Sequence, residues 1–189
     1  MTVRTQTNHS RGLDVDGTGS WALFLNPTPG ASNTGAVPEY APRPAFDQPS
    51  GVHSGPISLT LTVAAGNTIR YTMDGSTPTA TSTAYSGPIA IGTTTVVRAR
   101  SFSSTTGAPP SATETNTYFI GAGHTVAIIS IAGDDIATLL NGTQNEPIGS
   151  LEYFGPDGQL RSESTGDFNE HGNDSWAYDQ RGVDYVSRD

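Results

Sequence analysis

The chain has 189 residues, 34% of them apolar and 8% aromatic, with 22 Gly, 13 Pro, 19 Ser and 26 Thr, a composition that favours turn-rich β structure over a helical bundle. It has no cysteine, which excludes disulfides, thiolate zinc sites and thiol nucleophiles, and all nine basic residues are Arg, so no lysine is present to clamp a phosphate or form a Schiff base. The net charge of −9 is uneven: residues 1–121 hold six acids against six Arg, and residues 122–189 hold twelve acids against three Arg. That break near 121 marks a boundary, and an acidic last third argues against nucleic-acid binding.

The first twelve residues have no apolar core, so this stretch carries no secretory signal, and no apolar run approaches the ~20 residues of a membrane span. Residues 1–36 hold one hydrophobic burst, Trp21 to Leu25, between turn-forming stretches at 16–20 and 26–33. A single strand cannot bury Trp21, Phe24 and Leu25 by itself, so this segment reads as the end of something larger. Residues 37–43, with Pro38 and Pro42, read as a stiff extended linker. Trp21 followed by Thr28-Pro29-Gly30-Ala31-Ser32-Asn33 resembles the closing strand of a lamin-tail-type domain.

Residues 44–120 alternate with a period of two. In Ile57 to Val63 the odd positions are apolar and the even ones Ser or Thr, the pattern of a half-buried strand. Ile69, Tyr71 and Met73 continue it as an inward row. Asp74, Gly75, Ser76 and Pro78 then form a turn, because Asp can bond its own backbone two residues on and Gly accepts positive φ. Ile89 to Ile91 and Thr95 to Phe102 make two more strands, with Arg98 and Arg100 expected on a wet face, and Thr115 to Ile120 closes the set. Strands at this spacing predict a small antiparallel β-sandwich of immunoglobulin-like design.

The run Ile69 to Pro78, the segment Tyr85-Ser86-Gly87-Pro88-Ile89, the strand Val96 to Phe102 and a closing stretch over 115–119 occur here in order. Together they resemble the chitobiase/β-hexosaminidase C-terminal-type module of large secreted bacterial proteins. The resemblance implies a carbohydrate-associated sandwich, with Tyr71, Tyr85 and Tyr118 as candidate sugar-stacking rings. Against that role, periodicity places Tyr71 on the core face, and His53 stands where the family commonly has an aromatic residue.

Residues 121–189 open with an apolar run, Val126 to Ala132, expected to be a strand buried on both faces. Asp134 to Gly142 reads as a helix of one to two turns with an Asp start and a Gly end. Ile148 to Phe154 is a strand, 155–158 a turn, and Gln159 to Ser164 its hairpin partner. His124 with the run 126–131, Glu152 to Gly158, and Gly166 with His171, Gly172 and Ser175 resemble the N-terminal part of CotH-type (spore-coat kinase-like) domains. That resemblance implies Mg-ATP as the cofactor of a complete domain and Arg181 as a phosphate contact. The family's lysine-containing run is Gln180-Arg181-Gly182-Val183 here, and no cofactor is expected within this stretch.

Two further clusters present themselves. His171, Asp174 and Ser175 supply the residue types of a hydrolase triad, but compressed into one loop, whereas a triad needs groups aimed from separate parts of a fold. The acids Asp157, Asp167, Glu170, Asp174, Asp179, Asp184 and Asp189 lack the spacing of a calcium loop and read as a solvated surface, with no metal expected. Trp176, Tyr178 and Tyr185 read as core or interface residues.

The expectation is therefore a mainly β chain of four parts, at 1–36, 37–43, 44–120 and 121–189. It would act as a non-catalytic accessory or spacer module of a secreted bacterial surface protein. Its partners would be neighbouring domains of its own polypeptide and a glycan, with no nucleic acid and no membrane span. The alternatives are part of a CotH-like protein kinase and a module binding chitin or N-acetylhexosamine.

Overall fold

The computed structural model describes residues 5–139, 141, 145–172 and 182–188, and apart from one 3-10 turn the regular structure in them is β. Three groups of strands follow one another along the chain.

The first is a sheet of β1 (Ser10–Val15), β2 (Thr18–Phe24) and β3 (Ala36–Val37) in the order β1-β2-β3. A two-residue turn joins β1 to β2, pairing Val15 with Thr18, and Gly17 takes the positive φ of 73° that such a turn needs. The expected lone strand thus has two partners. Burial falls on Leu23 and Phe24, whereas Trp21 is 73% exposed, contrary to the inward role read for it. The linker is not free either. Val37 pairs with Leu23, the Ala41 amide donates to the Pro109 carbonyl at 2.9 Å, and the Ser101 hydroxyl donates to the Pro42 carbonyl. Extended backbone leaves its polar groups available, and here neighbouring segments take them.

The second group is a β-sandwich. One sheet has the order β5-β12-β11-β8-β9, made of Gly51–His53, Glu114–Ile120, Thr95–Ser103, Asn67–Thr72 and Thr83–Ala84. Two short ladders oppose it: β6 (Ile57–Leu59) with β10 (Ile89–Ile91), and β4 (Ala45–Phe46) with β7 (Leu61–Thr62). The core between them is Leu59, Leu61, Ile69, Ile89, Ile91, Val97, Ala99 and Tyr118. The strand expected over 57–63 breaks at Thr60. There the Asp47 carboxylate takes the Thr60 amide at 2.7 Å, and the Asp47 amide returns to the Thr60 carbonyl at 3.1 Å. The odd-numbered side chains keep their inward face through the break, so the alternation survives while the pairing changes partner. Met73 departs from its expected inward row: β8 ends at Thr72 and Met73 is 40% exposed.

The third group is an antiparallel sheet of β13 (Ile128–Ala132), β14 (Ile148–Phe154), β15 (Leu160–Glu170) and β16 (Val183–Ser187), in chain order. β13 is an edge strand and is not buried on both faces: Ile129 is 63% exposed, and Val126, before the strand, 65%. The expected capped helix is a 3-10 turn over Ile136–Thr138, whose preceding Asp135 sits at φ 61° and makes no side-chain cap. Leu140 and Gly142 lie outside the described residues. The hairpin partner runs past its expected end at Ser164 to Glu170, and Gly166 to Glu170 pair with β16. Among the described residues no helix is long and apolar enough to cross a membrane.

Candidate functional site

On β11 the period of two sends Val97 and Ala99 into the sandwich core and Arg98 and Arg100 to the opposite face. That face is not wet. Arg98 is only 5% exposed, held against the 75–77 turn and Thr115, with the loop carrying Asp134 beside it. Its Nη1 donates to the Gly75 carbonyl at 3.1 Å and to Thr77 Oγ1 at 3.0 Å, and its Nε to Thr115 Oγ1 at 3.3 Å. Asp134 caps the arrangement by accepting the Thr77 amide at 2.8 Å. Burial pushes the Arg98 pKa down, Asp134 pulls it back, and Arg100 lowers it again. Arg100 donates from Nε to the Ser111 carbonyl at 2.8 Å and from Nη2 to Gln6 Oε1 at 3.1 Å, and burial lowers its pKa too. Both remain cations at any ordinary pH.

The third sheet docks on the sandwich through a buried carboxylate. Ile148, Ser150, Glu152 and Phe154 share one face of β14, and Glu152 is 1% exposed. It accepts from the Ser50 hydroxyl, from the Thr117 hydroxyl and from the Thr117 amide at 3.2 Å. Ser150 Oγ donates to Thr115 Oγ1 at 3.0 Å, the Val52 amide donates to the Gly158 carbonyl at 3.2 Å, and Phe154 meets Phe119 edge-on at 5.1 Å between ring centroids. Burial raises the Glu152 pKa, while the Ser50 and Thr117 hydrogen bonds oppose the rise. The signal for this residue was present in the sequence: Glu152 lies in the inward register with Phe154.

Beside this junction a cleft of about 980 Å³ opens between the Arg98–Arg100 face, the N-terminal segment and the third sheet. His9 and Tyr40 line it with rings stacked at 5.7 Å, and His9 Nδ1 lies 2.6 Å from the Tyr40 hydroxyl. Burial, and then Arg100, hold the His9 pKa below the usual histidine value. Glu114, Asp134, Glu152, Glu163 and Asp167 contribute carboxylates to the lining, and Arg43 and Arg188 further guanidiniums.

The residues singled out from the sequence lie elsewhere or serve the fold. Tyr118 is fully buried, its hydroxyl donating to the Gln48 carbonyl at 3.1 Å and accepting from Asn116 Nδ2 at 3.1 Å, with burial raising its pKa. It offers no face to a sugar, and that candidate role is withdrawn. Tyr71 and Tyr85 are half-buried against the same core, and neither lines the cleft. His53, with its ring 5.6 Å from Tyr118, belongs to this packing.

The turn at Asp74 is local chemistry with a remote use. Its carboxylate accepts the Ser76 hydroxyl at 2.6 Å and the Ser76 amide at 3.0 Å, which hold its pKa below the usual range. Gly75 adopts φ 83° and presents its carbonyl to Arg98, and Pro78 is fully buried. The sequence identified this turn but not its place in the junction.

His171 is exposed, with Nδ1 2.8 Å from Asp184 Oδ1, and Gly172 beside it has φ 71°. Asp174, Ser175, Trp176, Tyr178, Asp179, Arg181 and Asp189 lie outside the described residues. Tyr185 packs on Phe168 at 4.8 Å and reaches Ser164 Oγ at 2.7 Å. Asp157 pairs with Arg161 and Asp167 with Arg188. Among the described residues no three His, Asp or Glu side chains converge as a metal site.

No curated protein and no solved structure matches the chain, and the lamin-tail and CotH resemblances of the flanking segments gain no support from comparison with known families. What does match is the sandwich that forms one wall of the cleft: residues 48–115 fit the family model of the chitobiase/beta-hexosaminidase C-terminal domain.

Proposed function

We propose that this protein is a non-catalytic accessory unit of a secreted, modular surface protein, in which a carbohydrate-associated sandwich holds its flanking sheets at a fixed angle. The observation that carries this reading is Glu152, a buried carboxylate on the third sheet whose hydrogen bonds go to Ser50 and Thr117 of the sandwich. A buried polar group has one geometry in which it is satisfied, so rotation of the sheet against the sandwich strands it. Ordinary linkers between domains lack such a lock, and relative motion is their default. The family match over residues 48–115 supports the accessory role. In backbone relaxation of the whole chain, amides of the sandwich and of the third sheet should report one rotational correlation time. Two distinct values would remove the spacer reading.

A further inference from the structure

We propose that the cleft beside the junction binds a carboxylated saccharide unit, a sugar acid of the uronic type, whose carboxylate is taken by Arg98 and Arg100.

The inference starts from a missing counter-charge. Arg11 pairs with Glu39, Arg43 with Glu114, Arg161 with Asp157 and Arg188 with Asp167. Arg98 is 5% exposed and Arg100 half-buried beside it, and among the described residues neither forms an ion pair; their hydrogen bonds go to carbonyls, hydroxyls and one amide oxygen, as the single hydrogen bond of Arg70 on the neighbouring strand goes to the Ser82 carbonyl. Two residues apart on one strand face, they stand ~7 Å from each other. Three of the lining carboxylates are engaged elsewhere, Glu114 with Arg43, Asp167 with Arg188 and Glu152 with Ser50 and Thr117. Two enclosed cations side by side, with Asp134 acting on Arg98 alone, are an unfavourable arrangement that an incoming anion relieves.

Each still has donors to give. Arg98 uses Nε and Nη1, Arg100 uses Nε and Nη2, and both line the cleft. The donors left over are Arg98 Nη2 and Arg100 Nη1, each able to give a charge-assisted hydrogen bond to a carboxylate oxygen.

The rest of the lining selects the body of the ligand. The His9–Tyr40 ring pair supplies apolar surface for a pyranose ring, and Asp134 and Glu163 accept hydrogen bonds from hydroxyls. Those same carboxylates repel a densely charged polyanion, so the site suits one carboxylate amid many hydroxyls. At about 980 Å³ the cleft accommodates a short oligosaccharide. The ligand class rests on the glycan-associated reading of the sandwich, whereas the anion site rests on geometry alone.

The test is a titration of the whole chain with galacturonate and glucuronate oligosaccharides of two to four units, with their neutral counterparts, and with an aspartate-rich peptide. Saturable binding of a uronate oligosaccharide is expected, with shifts of the Arg98 and Arg100 Nε–H resonances and affinity that falls as salt rises. The neutral sugar and the Arg100→Gln chain should each bind at least about tenfold more weakly, the loss of one charge-assisted contact. The wild-type resonance shifts decide the matter even where Arg100→Gln disturbs the fold. Equal binding of the neutral sugar, unmoved arginine resonances, stronger binding of the peptide, or no binding at ~10 mM ligand would each overturn the proposal. None of these outcomes touches the spacer reading, which stands or falls on the correlation times.

Discussion

The carboxylate of Glu152 lies 3.2 Å from the backbone amide of Thr117, although Glu152 sits on the third sheet and Thr117 on the outer face of the sandwich. Thr117 also gives its hydroxyl to the same carboxylate, and Ser50 gives a third donor. One side chain thus satisfies three donors from a different structural group, and water is shut out of the contact.

Removing that side chain takes one acceptor from each donor, although the Thr117 amide also reaches Ser50 Oγ at 3.0 Å, the Ser50 hydroxyl the Thr117 carbonyl at 3.0 Å, and the Thr117 hydroxyl Ser130 Oγ at 2.7 Å. Glu152→Ala should destabilise the chain by about 2 kcal/mol, from lost charge-assisted hydrogen bonds and a small cavity. Glu152→Gln keeps an acceptor oxygen at nearly the same volume and should cost much less. Urea unfolding of both variants measures this, and a loss below ~1 kcal/mol for Glu152→Ala would show that water replaces the carboxylate.

The sandwich tyrosines differ in depth. Tyr118 is fully enclosed and Tyr71 only half-buried, so Tyr118→Ala should cost about 3–5 kcal/mol and Tyr71→Ala distinctly less. Tyr118→Phe isolates the hydroxyl that bonds Gln48 and Asn116, at ~1 kcal/mol. Equal losses for the two alanine variants in equilibrium unfolding would contradict the packing described.

What the sequence made legible follows from the range of its signals. Alternation is a local property, so the inward rows through Leu59 and Leu61, and through Val97 and Ala99, could be read directly. The turn at Asp74 and Gly75 was equally local. Alternation also put Arg98 on the other face, but no local pattern tells whether a strand from fifty residues away covers that face. Burial of Glu152 depends on such docking, and so does the cleft beside it. The same limit explains Ile129: an apolar run reports the capacity to be buried on both faces, while an edge strand has only one face covered. At Met73 the turn ended the strand one residue before the apolar pattern did.

The proposed role predicts two negative results with defined readouts. Tyr118 is buried and Tyr71 and Tyr85 pack on the core, so the chain should pass through insoluble chitin without retention. Retention abolished by Tyr85→Ala would favour a chitin-binding module instead. Millimolar Mg-ATP should leave the melting temperature unchanged, since ligand at ~100 times its dissociation constant would add about 2.7 kcal/mol and be seen at once. A reproducible shift abolished by Arg181→Ala would favour the kinase-like alternative.

The buried carboxylate also gives stability a pH dependence of known sign. Burial raises the Glu152 pKa, so the folded chain holds this proton more tightly than the unfolded one. The stabilisation is fully present below the ordinary glutamate pKa of ~4.3 and is lost as pH rises through the raised value. Glu114, raised by burial despite Arg43, acts in the same direction. Asp74 and Glu39, lowered by hydrogen bonds from Ser76 and from Arg11, act in the opposite one, their contribution being lost as pH falls. His9, lowered by burial, likewise favours folding at pH above its own titration. The wild-type profile mixes all five, but the difference between Glu152→Gln and wild type isolates one. Thermal melts from pH 4 to pH 8 should show the variant no more stable than wild type at the acidic end, gaining as pH rises above the ordinary glutamate value and levelling off once the raised pKa is passed. The gain is bounded by about 1.4 kcal/mol per pH unit for a single proton. A difference that stays flat across this range would mean that Glu152 titrates alike in the folded and unfolded chain, and that the contact with Ser50 and Thr117 is open to water.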